Sequence, residues 1–317
     1  MHAKSTEFSR VWVTGHNGLV GSAVVRALRR QGVEPMLVGR SELDLRDEAA
    51  VLRWMQQHRP SQVFHVGAKV GGIRANSTMR AEFLHDNLRI QSSVIHGAWS
   101  TGVSRLVFVA TNCTYPTTAH PPLREEMLLT GPLEPNIRSY AIAKLAGIEM
   151  CLAYRDQYGC DFLTVIPPNM YGPGDNFHPE HSHVIAGIMG RMHAAKVSGA
   201  SEMAVWGDGS PRREILHSDD LADAMLLMMQ RGSSWPVVNV GYGEDFSIAQ
   251  IAEMIRAVTG FEGRIDFDTS KPNGSKGKLL DSSKIRALGW VPAIHPAHGL
   301  KTAYDCFLNR LPQLVST

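Results

Sequence analysis

Arg10-Val11-Trp12-Val13-Thr14-Gly15-His16-Asn17-Gly18-Leu19-Val20-Gly21 is the stretch that decides the fold. It opens with an apolar run of the kind that forms a buried strand of a parallel sheet. Glycines follow at the spacing Gly15-x-x-Gly18-x-x-Gly21, and a helical pattern continues through Arg30. Glycines alone signal only a turn. With a strand before them and a helix after, they signal a dinucleotide site, because they allow a tight turn and a close backbone approach to a pyrophosphate at the helix N-terminus. The cofactor contact expected here spans Gly15, His16, Asn17, Gly18, Leu19, Val20 and Gly21.

Outward from this turn the first half of the chain alternates strand and helix. Strands are expected at 10–15, 34–39, 61–66, 105–110 and 161–166, and helices at 18–31, 47–58, 79–101 and 139–158. That alternation argues an α/β fold: a Rossmann-type, doubly wound parallel sheet covered on both faces. After Tyr171-Gly172-Pro173 the pattern loosens. Helices at 183–195, 219–231, 247–258 and 297–309 mix with short strands near 203–206, 213–217 and 263–267, as in a smaller mixed α/β domain. Pro236-Val237-Val238-Asn239-Val240-Gly241 reads as one more strand returning to the first sheet. The expected division is a cofactor domain over 1–170, with a return segment near 215–245, and a C-terminal substrate domain over 171–317. No internal repeat or low-complexity segment interrupts it.

Composition narrows the function classes. A chain of 317 residues suits one large or two medium domains. A hydrophobic fraction of 44% and a charged fraction of 20% are those of a soluble globular protein. The net charge of +2 suggests neither nucleic-acid binding nor a polybasic membrane patch, and no apolar run is long enough to span a bilayer. Met1 to Ser9 lack the apolar stretch of a signal peptide. Cys113, Cys151, Cys160 and Cys306 form no C-x-x-C pair and read as reduced thiols, so a cytoplasmic location is expected.

Four groups of residues carry chemistry. The second expected strand ends at Arg40, where an NAD site usually holds a carboxylate; an arginine suits the 2′-phosphate of NADP(H). Tyr140 and Lys144 stand four residues apart on one helix face, and an ammonium beside a phenol favours the phenolate. Thr111, in the loop after the fourth strand, can join Tyr140 in donating hydrogen bonds to a substrate carbonyl. Cys113 follows two residues later; alone, a cysteine is more often packing than catalysis, but this loop leaves the cofactor edge of the sheet. His178, His181 and His183 suggest a metal cluster that no other ligand completes, so no metal is expected. His65 and His217 read as structural. Trp206-Gly207-Asp208-Gly209 reads as a turn that exposes the indole for stacking on a base or sugar, and Arg212 and Arg213 as a solvated face or a diphosphate contact.

Together, the glycine turn, a hydroxyl after the fourth strand and Tyr140-x-x-x-Lys144 resemble the extended short-chain dehydrogenase/reductases over essentially the whole chain. Finer motifs resemble one subfamily, the GDP-L-fucose synthases: Ala68-Lys69-Val70-Gly71-Gly72-Ile73, Asn112-Cys113-Thr114-Tyr115-Pro116, Asp175-Asn176-Phe177-His178-Pro179, Ser182-His183-Val184-Ile185 and Lys278-Leu279-Leu280-Asp281. The resemblance implies NADP(H)-dependent 3,5-epimerisation and 4-reduction of GDP-4-keto-6-deoxy-D-mannose to GDP-L-fucose. It implies a triad of Thr111, Tyr140 and Lys144, with Cys113 and His183 as the base and acid of epimerisation. Lys144, Pro167, Pro168, Asn169, Met170 and His183 are implied cofactor contacts; Arg191, Trp206, Arg213, Asn273 and Lys278 are implied substrate contacts. A homodimer is implied too, with its seam on the helices at 79–101 and 139–158. Three positions depart from the subfamily pattern: Thr111 stands for serine, Asn17 for arginine and Asn273 for an acidic residue. The alternative activity is on a related 4-keto sugar nucleotide, a dideoxyhexose or a heptose. A rival from another class, an NADP sensor without catalysis, would be expected to lose the Tyr-x-x-x-Lys pair.

Overall fold

The computed structural model describes residues 7–178, 182–271, 273 and 277–314. The chain runs β1 (Val11–Thr14), α1 (Leu19–Arg30), α2 (Glu48–His58), β2 (Gln62–His65), α3 (Ile73–Thr78), α4 (Arg80–Ser100), β3 (Arg105–Val109), α5 (Arg138–Tyr158), β4 (Asp161–Ile166) and β5 (Asn169–Tyr171). It continues through α6 (Val184–Val197), β6 (Glu202–Trp206), β7 (Arg212–His217), α7 (Ser218–Arg231), β8 (Val237–Asn239), β9 (Asp245–Ser247), α8 (Ile248–Thr259), β10 (Arg264–Asp268), α9 (Ser283–Ala287) and α10 (Pro296–Leu314).

A parallel sheet in the order β1-β2-β3-β4-β8 forms the centre of the first region. All four residues of β1 are buried. Val11 and Val13 pack with Val24 and Leu28 of α1 on one face, and Trp12 packs with Met55 of α2 and Phe108 of β3 on the other. Successive side chains leave a strand on opposite faces, so burial of all four requires helices on both sides. α1 follows from its apolar stripe: Ala23, Val24, Ala27 and Leu28 are buried while Arg29 and Arg30 close its last turn. Asp47 caps α2 by accepting the Ala50 N–H.

The strand expected at 34–39 is reduced to a single bridge. Met36 pairs with Trp12, donating to the Val11 carbonyl at 2.7 Å and accepting from Val13 N at 3.3 Å. This segment lies at the sheet's edge, where Pro35 is tolerated because its backbone nitrogen faces away from β1, and the ladder does not extend beyond Met36. At the opposite edge β8 pairs in parallel with β4, so the chain does return from beyond residue 230 to complete the first sheet. The second region packs β5-β7-β9 and the ribbon β10-β6 around Ile185, Met189, Ile251 and Phe307. β5, β9, α3 and α9 were not expected; each is six residues or shorter, too short for a pattern to accumulate.

Candidate active site

The glycine turn joins β1 to α1 at the carboxyl edge of the sheet. Gly15 has φ +67°, in the left-handed region, and a side chain there would stand 2.7 Å from Gly67 Cα. At Gly21 a Cβ would fall 2.9 Å from His16 Cα, so this position must be bare for α1 to pack against the turn. Thr14 fixes the floor. Its Oγ1 accepts the N–H groups of Val66 at 3.1 Å and Gly67 at 2.9 Å and meets His65 Nδ1 at 3.0 Å. With both lone pairs engaged, the hydroxyl proton points to His65, which burial holds neutral by pushing its pKa down to about 3.

Beside this turn lies a cavity of about 350 Å³ lined by Gly15, His16, Asn17, Gly18 and Arg40. Its far wall carries residues the sequence reading gave no role: Asp44, Arg46, Lys69 and Asp86. Arg46 reaches Asp44 at 2.6 Å and Asp86 at 3.4 Å, and Lys69 reaches Asp86 at 2.9 Å. The Arg46 guanidinium pulls the Asp44 carboxyl down to about 2. The side-chain nitrogen His16 Nδ1 is buried here without a hydrogen-bond partner. A bare glycine turn, a buried orphan donor or acceptor and Arg40, beyond the Met36 bridge and near Asp44, fit a phosphorylated dinucleotide. Leu19, Val20 and Gly21 shape the turn from behind and do not line this cavity.

A second cluster gathers farther along the same edge. β3 ends at Val109, and Thr111 starts a 3₁₀ turn over Asn112–Thr114. Thr111 Oγ1 accepts the Cys113 N–H at 3.3 Å, which leaves its proton free to donate. Burial raises Tyr140 and lowers Arg213 and Lys278, and the Cys113 thiol lies near enough to all three to act on their charge. Lys278 Nζ donates to the carbonyls of Asn112 at 3.3 Å and Tyr115 at 3.4 Å, bracketing the Cys113 turn. Glu134 acts weakly on the same two cations.

Tyr140 and Lys144 share α5, but their electrostatics reverse the expectation. The Lys144 ammonium donates to the Val109 carbonyl at 2.8 Å and sits 4.6 Å from the centre of the Phe108 ring. Burial pushes Lys144 down to about 7, and burial raises the Tyr140 phenol above its ordinary value. An i,i+4 spacing sets proximity; it does not outweigh the loss of water around both groups. His183 caps α6, its backbone carbonyl accepting Gly187 N at 2.8 Å, and its ring makes no cap bond. The surrounding protein lowers its pKa, favouring neutral imidazole where an imidazolium was expected.

The other expected contacts are dispersed. Pro167 accepts the Asn112 N–H at 3.1 Å, and Asn169 Nδ2 donates to the Glu214 carbonyl at 3.1 Å, so Pro167, Pro168, Asn169 and Met170 continue from β4 beneath the Cys113 turn. Trp206 is 65% exposed, and Asn273 Oδ1 accepts Asp208 N at 3.0 Å, holding the turn beneath the indole. Arg191 stands on α6, near Ser182 and Gly187. Among the described residues, no group of three His, Cys, Asp or Glu side chains is placed to hold a metal; His181 lies outside the described residues.

A dinucleotide turn, a buried Tyr-Lys pair on one helix and a thiol-bearing loop define a reductase or epimerase of the extended short-chain class. The model of the NAD dependent epimerase/dehydratase family matches residues 11–241. The chain belongs to that family and, within it, to the GDP-L-fucose synthases. It is 47% identical to GDP-L-fucose synthase 1 of Arabidopsis thaliana over 97% of this chain and 95% of that protein. The crystal structure of a GDP-L-fucose synthetase from Naegleria fowleri bound to NADP superposes with TM-score 0.90 at 27% identity, covering 98% of each chain. A GDP-6-OMe-4-keto-L-xylo-heptose reductase from C. jejuni superposes with TM-score 0.90 at 33% identity, covering 96% of this chain and 99% of that one.

Proposed function

We propose that this chain epimerises GDP-4-keto-6-deoxy-D-mannose at C3 and C5 and reduces C4 with NADPH, forming GDP-L-fucose. The observation that carries the reading is the Cys113 turn bracketed by the Lys278 ammonium, which reaches the carbonyls of Asn112 and Tyr115, in a chain so similar to GDP-L-fucose synthase 1 along its whole length. A C4 ketone acidifies the protons on C3 and C5. Cys113 and His183 are the pair assigned to remove and return them from opposite ring faces, since a thiol and an imidazole can each give and take a proton. The charge that develops on O4 falls to the hydroxyls of Thr111 and Tyr140. Burial that raises Tyr140 keeps the phenol protonated, as a donor to O4 must be. Lys144, close to neutrality in its pKa, is suited to resupplying a proton on that side. Arg191, Arg213 and Lys278 are all lowered by burial, and a diphosphate is the counter-charge that matches them.

NADPH, when bound, supplies the reducing equivalent for C4. Gly15 to Gly18 and Arg40 are the residues that hold it, with Arg40 at the 2′-phosphate. The residues up to 170, with the return segment near 215–245, form the cofactor-binding part in this reading, and 171–317 the nucleotide-sugar part. A homodimer through α4 and α5 is part of the proposal, supported by Ile142 and Tyr158 standing 38% and 47% exposed on α5; light scattering at a mass of one chain would remove it. No described helix is long and apolar enough to cross a membrane. A cytoplasmic location remains part of the reading, supported by four cysteines that are all free thiols.

Incubation with NADPH and GDP-4-keto-6-deoxymannose, with NMR identification of the product sugar, tests the whole reading. Recovery of unchanged substrate there, with turnover of a GDP-4-keto-heptose instead, would move the assignment to the second activity, which the C. jejuni structure favours.

A further inference from the structure

We infer that Glu214 is a positioning residue: its buried carboxylate bonds Gly243 and Leu280, holding Arg213 and Lys278 in register with the Cys113 turn. Glu214 follows Arg213 in β7 and has no exposed surface. Its Oε1 accepts the Gly243 N–H at 2.8 Å and its Oε2 the Leu280 N–H at 2.9 Å. Its own carbonyl accepts Asn169 Nδ2 at 3.1 Å. One side chain thus joins β7, the loop after β8, and the segment that carries Lys278.

The segment 278–281 is pinned from the other side as well. Leu280 bridges Leu123; Leu123 N donates to the Leu279 carbonyl and Asp281 N to the Leu123 carbonyl, both at 2.8 Å. Lys278 then projects from a rail fixed at residue 280 and reaches the Asn112 and Tyr115 carbonyls. Remove the carboxylate from residue 214 and Leu280 loses a partner on the β7 side, while Arg213 loses the link that sets its distance from that rail. Backbone amides are the right partners for this job, because they fix direction as well as distance. The packing is tight: a Cβ on Gly241 would stand 2.8 Å from Glu214 Cδ and 2.9 Å from Ser282 Oγ. Burial also lifts the carboxyl to about 7, the cost of placing it away from water.

The inference rests on the reading of Arg213 and Lys278 as nucleotide-sugar ligands. Its test is therefore read on GDP binding as well as on turnover. Glu214→Gln keeps the shape but presents an amide where one carboxylate oxygen was. It should weaken GDP binding by calorimetry and raise the KM for GDP-4-keto-6-deoxymannose by about 10–100-fold, with kcat and NADPH affinity changed less than about threefold. Gly241→Ala, which pushes on the carboxylate without altering it, should shift the same quantities in the same direction. Unchanged GDP affinity in both variants overturns the inference, as does a parallel loss of GDP and NADPH affinity. Failure of both variants to fold overturns it too, since the carboxylate would then serve folding alone. A wild-type chain that binds GDP but turns over no 4-keto-6-deoxymannose sinks the proposed reaction and leaves the positioning role to the GDP measurement.

Discussion

The cavity beside Gly15 and the recess around Cys113 treat charge in opposite ways. In the cavity, Asp44, Arg46, Asp86 and Lys69 pair with one another, and Asp44 and Asp86 are held below their ordinary pKa values by the cations they meet. Each pairing favours the charged forms. Around Cys113, burial dominates and pushes Tyr140 up and Lys144, Arg213 and Lys278 down, every one toward its neutral form. In the proposed reading, the difference separates binding from chemistry. A partner-satisfied wall is rigid and suits a cofactor held in one pose. Buried groups held toward their neutral forms respond strongly when an anion arrives, and Lys144, with its pKa at about 7, suits proton transfer.

The largest effect that could break this contrast concerns the recess. Tyr140→Phe should lower the rate of C4 reduction by about 10³–10⁴-fold, followed as NADPH oxidation, because O4 loses its proton donor. Turnover near the wild-type rate would show that the phenol is not the donor. Cys113→Ser should slow deuterium exchange at C3 and C5 by about 10²–10³-fold and leave NADPH affinity unchanged; exchange at the normal rate would take the thiol out of the epimerisation.

Glu214 sharpens the contrast through pH. Its folded pKa near 7 lies above its ordinary 4.5, so the folded chain binds the extra proton across that window. Stability that is present below pH 4.5 is lost as pH rises to 7, by about 3 kcal/mol. Glu214→Gln lacks this titration. The stability of the wild type relative to the variant should decline over that range in denaturant titrations, and parallel curves would refute the burial account. The smallest effect belongs to the cavity: Arg40→Ala should weaken NADPH by about 10-fold more than NADH, the contribution of one charge-assisted contact. Equal losses for the two cofactors would place the 2′-phosphate elsewhere, with Arg46 the next nearest cation.

What was legible in the sequence was local. The glycine turn, Arg40 and the Thr111–Cys113 loop each lie within a dozen residues of the strand that presents them, so spacing and flanking pattern suffice. The ion-pair chain was not legible, although Lys69 sits in a motif that stood out. Its partner Asp86 lies on α4 and Arg46, which meets the same carboxylate, in the loop before α2; only folding brings them together. The same holds for Glu214, whose partners are 29 and 66 residues away. The direction of the Tyr140 and Lys144 shifts was misread because helix spacing reports neighbours and not solvent. The strand expected at 34–39 shrinks to the Met36 bridge at the sheet's edge, a limit that a local pattern does not report.

The last strand of the main sheet comes from beyond α7: Thr164 N donates to the Pro236 carbonyl at 2.7 Å and Val240 N to the Ile166 carbonyl at 3.0 Å. A fragment ending near residue 170 would carry the whole glycine turn yet leave the outer side of β4 bare, an open template for aggregation. A single junction placed near residue 170 would therefore part β4 from its partner β8.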